Sequence, residues 1–317
     1  MNIDLVVPWV DGSDIEYTET KNEYKKLLGK DIDSEAIIKA RFQDNGELKY
    51  LLRSIEQNAK FIRYIFLVTN GQIPKWLNIN NPKIKIINHK QIMPESSLPT
   101  FNSNAIEACI ANIENLSDHF LYSNDDFFIA KPVTEKDFFT KEGYPIIRLK
   151  QNYHPEKRYS TLYDKQMIFT SKCFYDKFKI KMNFFEHHNI DAFYKPDVLK
   201  CIKEFKTEFD YVTNCKFRKA ETLSKMIWSF YSYYLGHSVI KNNWIYKIPI
   251  FLRCISKIFV KFFRDSKMIG YQEKSYKMQK NIKLFCINDN EVTTDDDIKR
   301  GLKFLEKLFP NKSSFEI

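Results

Sequence analysis

Short apolar runs alternate along this chain with stretches of helical period. Ile3 to Val10 is apolar and β-branched and predicts a buried first strand, closed by the turn residues Asp11-Gly12-Ser13-Asp14. Glu16 to Leu28 is charged and predicts a solvated helix. Leu48, Leu51, Leu52 and Ile55 recur with helical spacing, so a second helix runs to about Asn58, N-capped by Asp44 or Asn45. Tyr64–Thr69 and Ile84–Asn88 predict two further strands. Ile106, Ile110 and Ile113 give one helix face, with Asn102 or Ser103 as N-cap. From Pro132 to about Asp164 the pattern loosens. Thr222 to Leu235 predicts an aromatic-rich helix. Asn243 to Arg264 predicts a basic amphipathic one starting at Pro249. Lys283 to Ile287 predicts a late strand, and Thr294 caps a final helix bearing Ile298, Leu302, Leu305 and Leu308. Strands alternating with helices predict a mostly parallel sheet with crossovers.

The sharpest change of polarity is at His119-Phe120-Leu121-Tyr122-Ser123-Asn124-Asp125-Asp126-Phe127-Phe128. An apolar strand there runs straight into two adjacent carboxylates. Ligands of open α/β sheets bind at the carboxyl ends of strands. Adjacent carboxylates repel unless a cation lies between them or one takes a proton. Mg²⁺ prefers carboxylate oxygen and commonly also holds phosphate. Asn124-Asp125-Asp126 is therefore a candidate metal–diphosphate site, and an Asx-type turn uses the same residue types. Ile287-Asn288-Asp289 repeats the arrangement: an apolar strand, then Asn-Asp.

Composition narrows the partners. The chain has 317 residues, is 44% hydrophobic, and carries a formal net charge of +10. It is long enough to bury a substantial core, and the excess of Lys and Arg suits an anionic partner. The acidic clusters at strand ends argue against nucleic acid, whose backbone they repel. The cysteines at 109, 173, 201, 215, 254 and 286 form no C-x-x-C pair and read as buried thiols of a reducing compartment. No signal pattern or run of apolar residues long enough for a transmembrane helix is present, so a cytoplasmic location is expected. The basic face of 243–264 suits either an anionic membrane surface or the protein's own core.

Several single residues join the picture. Asp11-Gly12 ends the first strand, where a nucleotide would be met. Arg41 and Arg53 are candidates for phosphate, and the helix N-terminus at Asn102-Ser103 offers free N–H groups. His187-His188 lies in a polar loop; neighbouring histidines cannot both chelate from one helix face, so a general base is the better chemistry there.

Taken in order, these blocks resemble the Stealth family of hexose-1-phosphate transferases. That family includes bacterial capsule and cell-wall polysaccharide enzymes and the catalytic part of the animal N-acetylglucosamine-1-phosphotransferase. The first block is Ile3 to Asp14. The second runs from Arg41-Phe42-Gln43-Asp44-Asn45-Gly46-Glu47-Leu48 through Leu67 to Pro74 and Leu98 to Ser103 to Asn124-Asp125-Asp126. The third is His188 to Lys195 with Phe217-Arg218, and the fourth is Ile287-Asn288-Asp289 with Phe309 to Glu316. The third block departs from the family's single His before Pro and an aromatic, so His187, His188 and His154 before Pro155 all qualify.

The resemblance implies a glycosyltransferase-A-like α/β fold: a mixed, mostly parallel sheet flanked by helices, with a helical insertion in the C-terminal half. It implies one catalytic domain over 1–317, with a nucleotide-sugar half at 1–150, an acceptor part at 151–280 and a completing strand and helix at 281–317. The implied reaction moves a sugar 1-phosphate from a UDP-hexose or UDP-N-acetylhexosamine to a hydroxyl of a glycan, lipid-linked acceptor. Mg²⁺ (or Mn²⁺) is implied on Asp125, Asp126, Asn288 and Asp289. Asp11, Gly12, Asn102 and Ser103 are expected at the nucleotide sugar, Arg41, Arg53 and Arg218 at the diphosphate, and His188 as base. Two rivals remain: a metal-dependent glycosyltransferase attacking the anomeric carbon, and a non-catalytic basic membrane-binding module. Peripheral attachment to the inner face of the membrane through 243–264 is also expected.

Overall fold

The computed structural model describes residues 1–149, 161–182, 184–241 and 265–317. Its centre is a five-stranded sheet. Strand β1 (Ile3–Pro8) pairs in parallel with β2 (Ile62–Thr69) on one side and β4 (His119–Tyr122) on the other. β3 (Ile84–Asn88) extends it in parallel beyond β2, and β7 (Asp191–Tyr194) closes the far edge antiparallel to β4, giving the order β3-β2-β1-β4-β7. This is the mixed, mostly parallel, helix-flanked sheet that the alternation of apolar runs predicts.

Because side chains alternate across a strand, β1 feeds two cores. Ile3, Leu5 and Val7 face one, with α2 (Glu47–Asn58) and α9 (Asp295–Leu308) packed over it. Val6 faces the other, with Phe66, Phe120 and Tyr122. That second core is built from α4 (Ser103–Cys109), α5 (Leu162–Phe178), α6 (Lys195–Glu204), α7 (Lys206–Asn214) and α8 (Met226–Tyr234). Helix α1 (Ile15–Leu28) and the short α3 (His89–Ile92) complete the α elements named here. No helix among the described residues is long and apolar enough to cross a membrane. Cys109, Cys201 and Cys215 are buried free thiols, Cys173 is half-buried, and Cys286 is buried.

A second sheet was not foreseen from the sequence. β5 (Phe127–Ile129) pairs antiparallel with β10 (Leu284–Asn288), which pairs in parallel with β9 (Ser266–Gly270). A two-stranded pair, β6 (Ile146–Ile147) and β8 (Val239–Ile240), stands apart. Other expectations shift in their bounds. The aromatic helix starts at Met226 rather than Thr222. α5 occupies a stretch for which no element was predicted. At α2 the N-cap position is Gly46, in the left-handed region at φ 90°, not Asp44 or Asn45. The predicted helix 243–264, Cys254 and His154 lie outside the described residues.

Candidate active site

The antiparallel pairing of β5 with β10 explains how residues over 160 positions apart meet. Phe127 opposes Cys286, and the Ile287 N–H donates to the Asp126 carbonyl at 3.1 Å. The head of β5 and the tail of β10 therefore coincide, and Asp125-Asp126 face Asn288-Asp289. Asp125 and Asp126 are only half-buried as residues. Even so, Asp126 Oδ1 is closed off from solvent and has no hydrogen-bond partner among the described residues. Burial, then the Glu47 and Asp289 charges, push the Asp126 carboxyl up to about 8. Burial, then Asp126, Glu47 and Asp44, hold Asp125 well above the carboxylate range.

Of these neighbours, Asp44 is an N-cap candidate in the sequence, and Glu47 appears there only within the second block. The Asp44 carboxylate accepts from Gly46 N–H at 2.8 Å. Glu47 reaches back to the Asn45 N–H at 2.8 Å, and accepts from Asn45 Nδ2 at 2.9 Å and the Tyr271 hydroxyl at 2.6 Å. Asn45 Nδ2 also contacts Asp289 Oδ2 at 3.3 Å, tying the start of α2 to the end of β10. Burial raises both Asp44 and Glu47. Asn288 turns its Nδ2 onto the Asp289 carbonyl at 3.3 Å.

No group of three or more His, Cys, Asp or Glu side chains among the described residues is arranged to hold a metal ion. An orphaned carboxylate oxygen beside a carboxyl that cannot easily ionise still fits a hard divalent cation. Mg²⁺ usually takes one or two protein carboxylates and completes its shell with water and phosphate.

Beside this acidic centre opens a cleft lined by Asn124, Phe127, His188, Arg218 and Lys225, among others. His188 and His187 separate in role. The His188 ring stands edge-on to Phe127 at 4.8 Å, immediately after the aspartate pair. His187 is buried, with Nδ1 at 3.2 Å from both Asn189 Nδ2 and Ser266 Oγ. Arg218 donates to Ser103 Oγ, at the first turn of α4. Its charge is felt by Arg41, whose pKa falls to about 10 through burial and then through Arg218. Glu35, Asp33 and Glu291 act on Arg41 in the opposite sense, and its Nε donates to the Glu35 carbonyl.

The floor of the cleft holds a charged group that was not anticipated. Lys225 bonds to Asp191 and lies 3.8 Å from Glu186. Burial alone would lower the Lys225 pKa; Asp191, Glu186 and Glu107 outweigh it and raise it. The Tyr122 hydroxyl links Glu107 at 2.8 Å to Asn124 at 3.0 Å, and so ties the cleft floor to the residue before Asp125. The signal available in the sequence was small: a carboxylate at 107 inside an otherwise apolar helix, and a lysine at the threshold of an aromatic one.

Three expected contacts are placed otherwise. Arg53, expected at the diphosphate, is engaged by the C-terminal segment. Its Nε and Nη2 donate to Glu316, each at 2.9 Å, and Nη1 donates to Glu306 at 3.2 Å and to the Phe309 carbonyl at 2.9 Å. A guanidinium so engaged pins the chain around 306–316 and has little left for phosphate. Asn102 is wholly buried. Its Oδ1 accepts from Asn104 N–H at 3.1 Å and its Nδ2 donates to the Cys215 carbonyl at 3.1 Å, so it caps α4 and positions Ser103 rather than touching a ligand. Gly12 is required by packing: a Cβ there would lie 2.1 Å from the Phe42 carbonyl oxygen. Asp11 stays at the rim. Its Oδ1 accepts from Ser13 N–H at 2.8 Å, its backbone is bracketed by Gln72, and its charge reaches Asp44.

Known proteins agree with this arrangement of blocks. Residues 1–29 match Stealth protein CR1, conserved region 1, and residues 41–147 match Stealth protein CR2, conserved region 2. The capsular polysaccharide phosphotransferase SacB of Neisseria meningitidis serogroup A is 32% identical over 99% of this chain. The chain spans 57% of SacB's length. The capsular polysaccharide phosphotransferase eps5J of Streptococcus thermophilus is 36% identical over 59% of this chain and 79% of its own length. Among solved structures, the galactosyltransferase LgtC overlays with a TM-score of 0.44 at 9% identity, covering 98% of this chain and 96% of LgtC. An overlay that loose carries no argument about chemistry. With two conserved regions matched in order and a relative of 36% identity covered over most of its length, this chain belongs to the Stealth family.

Proposed function

We propose that the chain transfers a hexose or N-acetylhexosamine 1-phosphate from a UDP-sugar to a hydroxyl of a glycan acceptor, releasing UMP, in bacterial surface polysaccharide synthesis. The relatives named above as capsular polysaccharide phosphotransferases support the reaction class. The observation that carries the reading is that Arg218 and His188 line one cleft with Asn124 and Phe127, the residues that flank the Asp125–Asp126 pair.

In this reading the acceptor oxygen bonds to the phosphorus that carries the sugar. The bond from that phosphorus to the bridging oxygen breaks, and UMP leaves with that oxygen. His188 takes the acceptor proton, and Arg41 and Arg218 hold the phosphoryl oxygens as charge shifts towards the leaving group. Ser103 keeps Arg218 aimed. Asp125, Asp126 and Asp289 would hold Mg²⁺ (or Mn²⁺), with Asn288 alongside; when bound, that ion neutralises diphosphate charge. A lipid-linked acceptor suits a chain with a basic balance, and 243–264 is one segment to test for membrane contact.

Incubation with a panel of nucleotide sugars, with and without Mg²⁺, tests this. Release of nucleoside monophosphate is expected. Release of diphosphate would instead mean attack at the anomeric carbon. Ligand binding that survives loss of the acidic residues and only weakens with salt would mean a non-catalytic module.

A further inference from the structure

Helix α5 has two working faces. Its inner side contributes Gln166 and Met167 to the cleft and buries Thr170 and Phe174. Its outer side repeats every seven residues. Lys165, Lys172 and Lys179 follow one line and are exposed. Ile168 and Tyr175 follow the adjacent line and are exposed by 43% and 47%. Ile180 and Lys181, both exposed, continue the face past the helix end. Between 161 and 182 there are five lysines against two aspartates. Lys172 lies 3.9 Å from Asp176 and Lys177 lies 3.1 Å from Glu204, whereas Lys165 and Lys181 have no ion-pair partner among the described residues.

The apolar part is not isolated. Tyr234, at the end of α8, packs on Phe178 at 4.7 Å, and Tyr233 packs on Phe184 at 5.5 Å; both tyrosines remain partly exposed. Single exposed apolar residues are ordinary. Here the Ile-Tyr line and the lysine line run side by side along one helix, and Tyr234 packs on Phe178 at its C-terminal end. Lysine that reaches phosphate while aromatic and aliphatic groups enter the headgroup boundary is the chemistry of an anionic bilayer surface.

We propose that the outer face of α5, with the tyrosines closing α8, is a docking surface for an anionic lipid bilayer. The two faces of α5 are one helix diameter apart, about 10 Å, so docking sets the cleft beside the membrane. An acceptor hydroxyl carried on a lipid could then reach the cleft without leaving the surface.

Vesicle flotation of the full chain tests this without reading turnover, so its outcome is independent of the proposed transfer. Wild-type protein is expected to float with vesicles of equal parts phosphatidylglycerol and phosphatidylcholine, and not with phosphatidylcholine alone. Joining Lys172→Glu and Lys179→Glu is expected to weaken binding about tenfold or more, at ~1 kcal/mol per basic residue near the surface. Ile168→Ser with Tyr175→Ser is expected to weaken it further at an unchanged unfolding midpoint, since all four side chains are exposed. Failure of the wild-type protein to float overturns the proposal. So does flotation that ignores these changes and responds only to changes within 243–264. A dimer in solution that the same substitutions dissociate would make the face a contact between copies and would overturn it too.

Discussion

In the middle of β1, Asp4 is wholly buried and fully answered: Arg63 grips it through Nε at 2.9 Å and Nη2 at 2.6 Å, and the N–H groups of Tyr64 and Ser117 complete its shell. At the head of β5, Asp126 keeps one oxygen closed off with nothing among the described residues donating to it, and its neighbours Glu47, Asp125 and Asp289 are carboxyls too. One chain thus builds both a satisfied carboxylate and one with an unanswered oxygen. Where only stability is at stake, the sequence supplies an arginine and two amides. Where it supplies repulsion instead, the missing partner is expected from outside the chain, and the repulsion is the trace of a function.

The widest way to break the comparison is Asp125→Asn. It should lower transfer by about a thousandfold, as loss of a charge-stabilising group in a reaction site does, while the unfolding midpoint stays level or rises because a repulsive charge is gone. Activity within a few fold of wild type would remove Asp125 from the chemistry. Arg63→Ala should do the reverse. It strands Asp4 in the interior, so chemical denaturation should show a loss of about 3 kcal/mol with kcat on the surviving folded fraction unchanged. A stability loss from Asp125→Asn equal to that from Arg63→Ala would erase the distinction between the two sites.

His188→Ala should reduce kcat by about a hundredfold with the unfolding midpoint little changed. A matching change at His187, which is held by Asn189 and Ser266, should appear first in thermal melting. The reverse pattern would move the base to His187.

The smallest effect concerns a third carboxylate, paired like Asp4. Burial alone would raise Asp265, but Arg148 at 3.1 Å and Lys241 at 2.5 Å hold it at about 2. A depressed carboxyl contributes its stability above the unfolded value and loses it as pH falls towards the folded one. About 2 kcal/mol should therefore vanish between pH 4 and pH 2, and Asp265→Asn should flatten that part of the curve. An unchanged curve would mean that the pair adds nothing.

The same contrast separates what could be read in the sequence from what could not. β1, β2, β3 and β4 were legible because fully buried parallel strands are continuous apolar runs. The aspartate pair was legible because polarity changes there within two residues. β5, β7 and β9 are three to five residues long, and such runs are as compatible with loops as with strands. Glu47 was hidden because a carboxylate in the first turn of a helix is ordinary capping chemistry. Arg53 was misplaced because no local pattern reports that residues more than 250 positions later will take its donors. Lys225 and its carboxylates are brought together by tertiary packing from three separate stretches, and nothing local in any of them reports the pairing.

Gly301, on α9, lies so near Tyr271 that a Cβ would sit 2.3 Å from the ring, and that ring delivers its hydroxyl to Glu47. During synthesis Asp125 leaves the ribosome long before Tyr271, Asp289 and Gly301 do. Until Tyr271 and β10 are in place, Glu47 lacks its hydroxyl partner and Asp126 lacks its opposite strand. A chain interrupted before β10 has left the ribosome would carry all five strands of the central sheet and yet lack the strand that lies opposite Asp126.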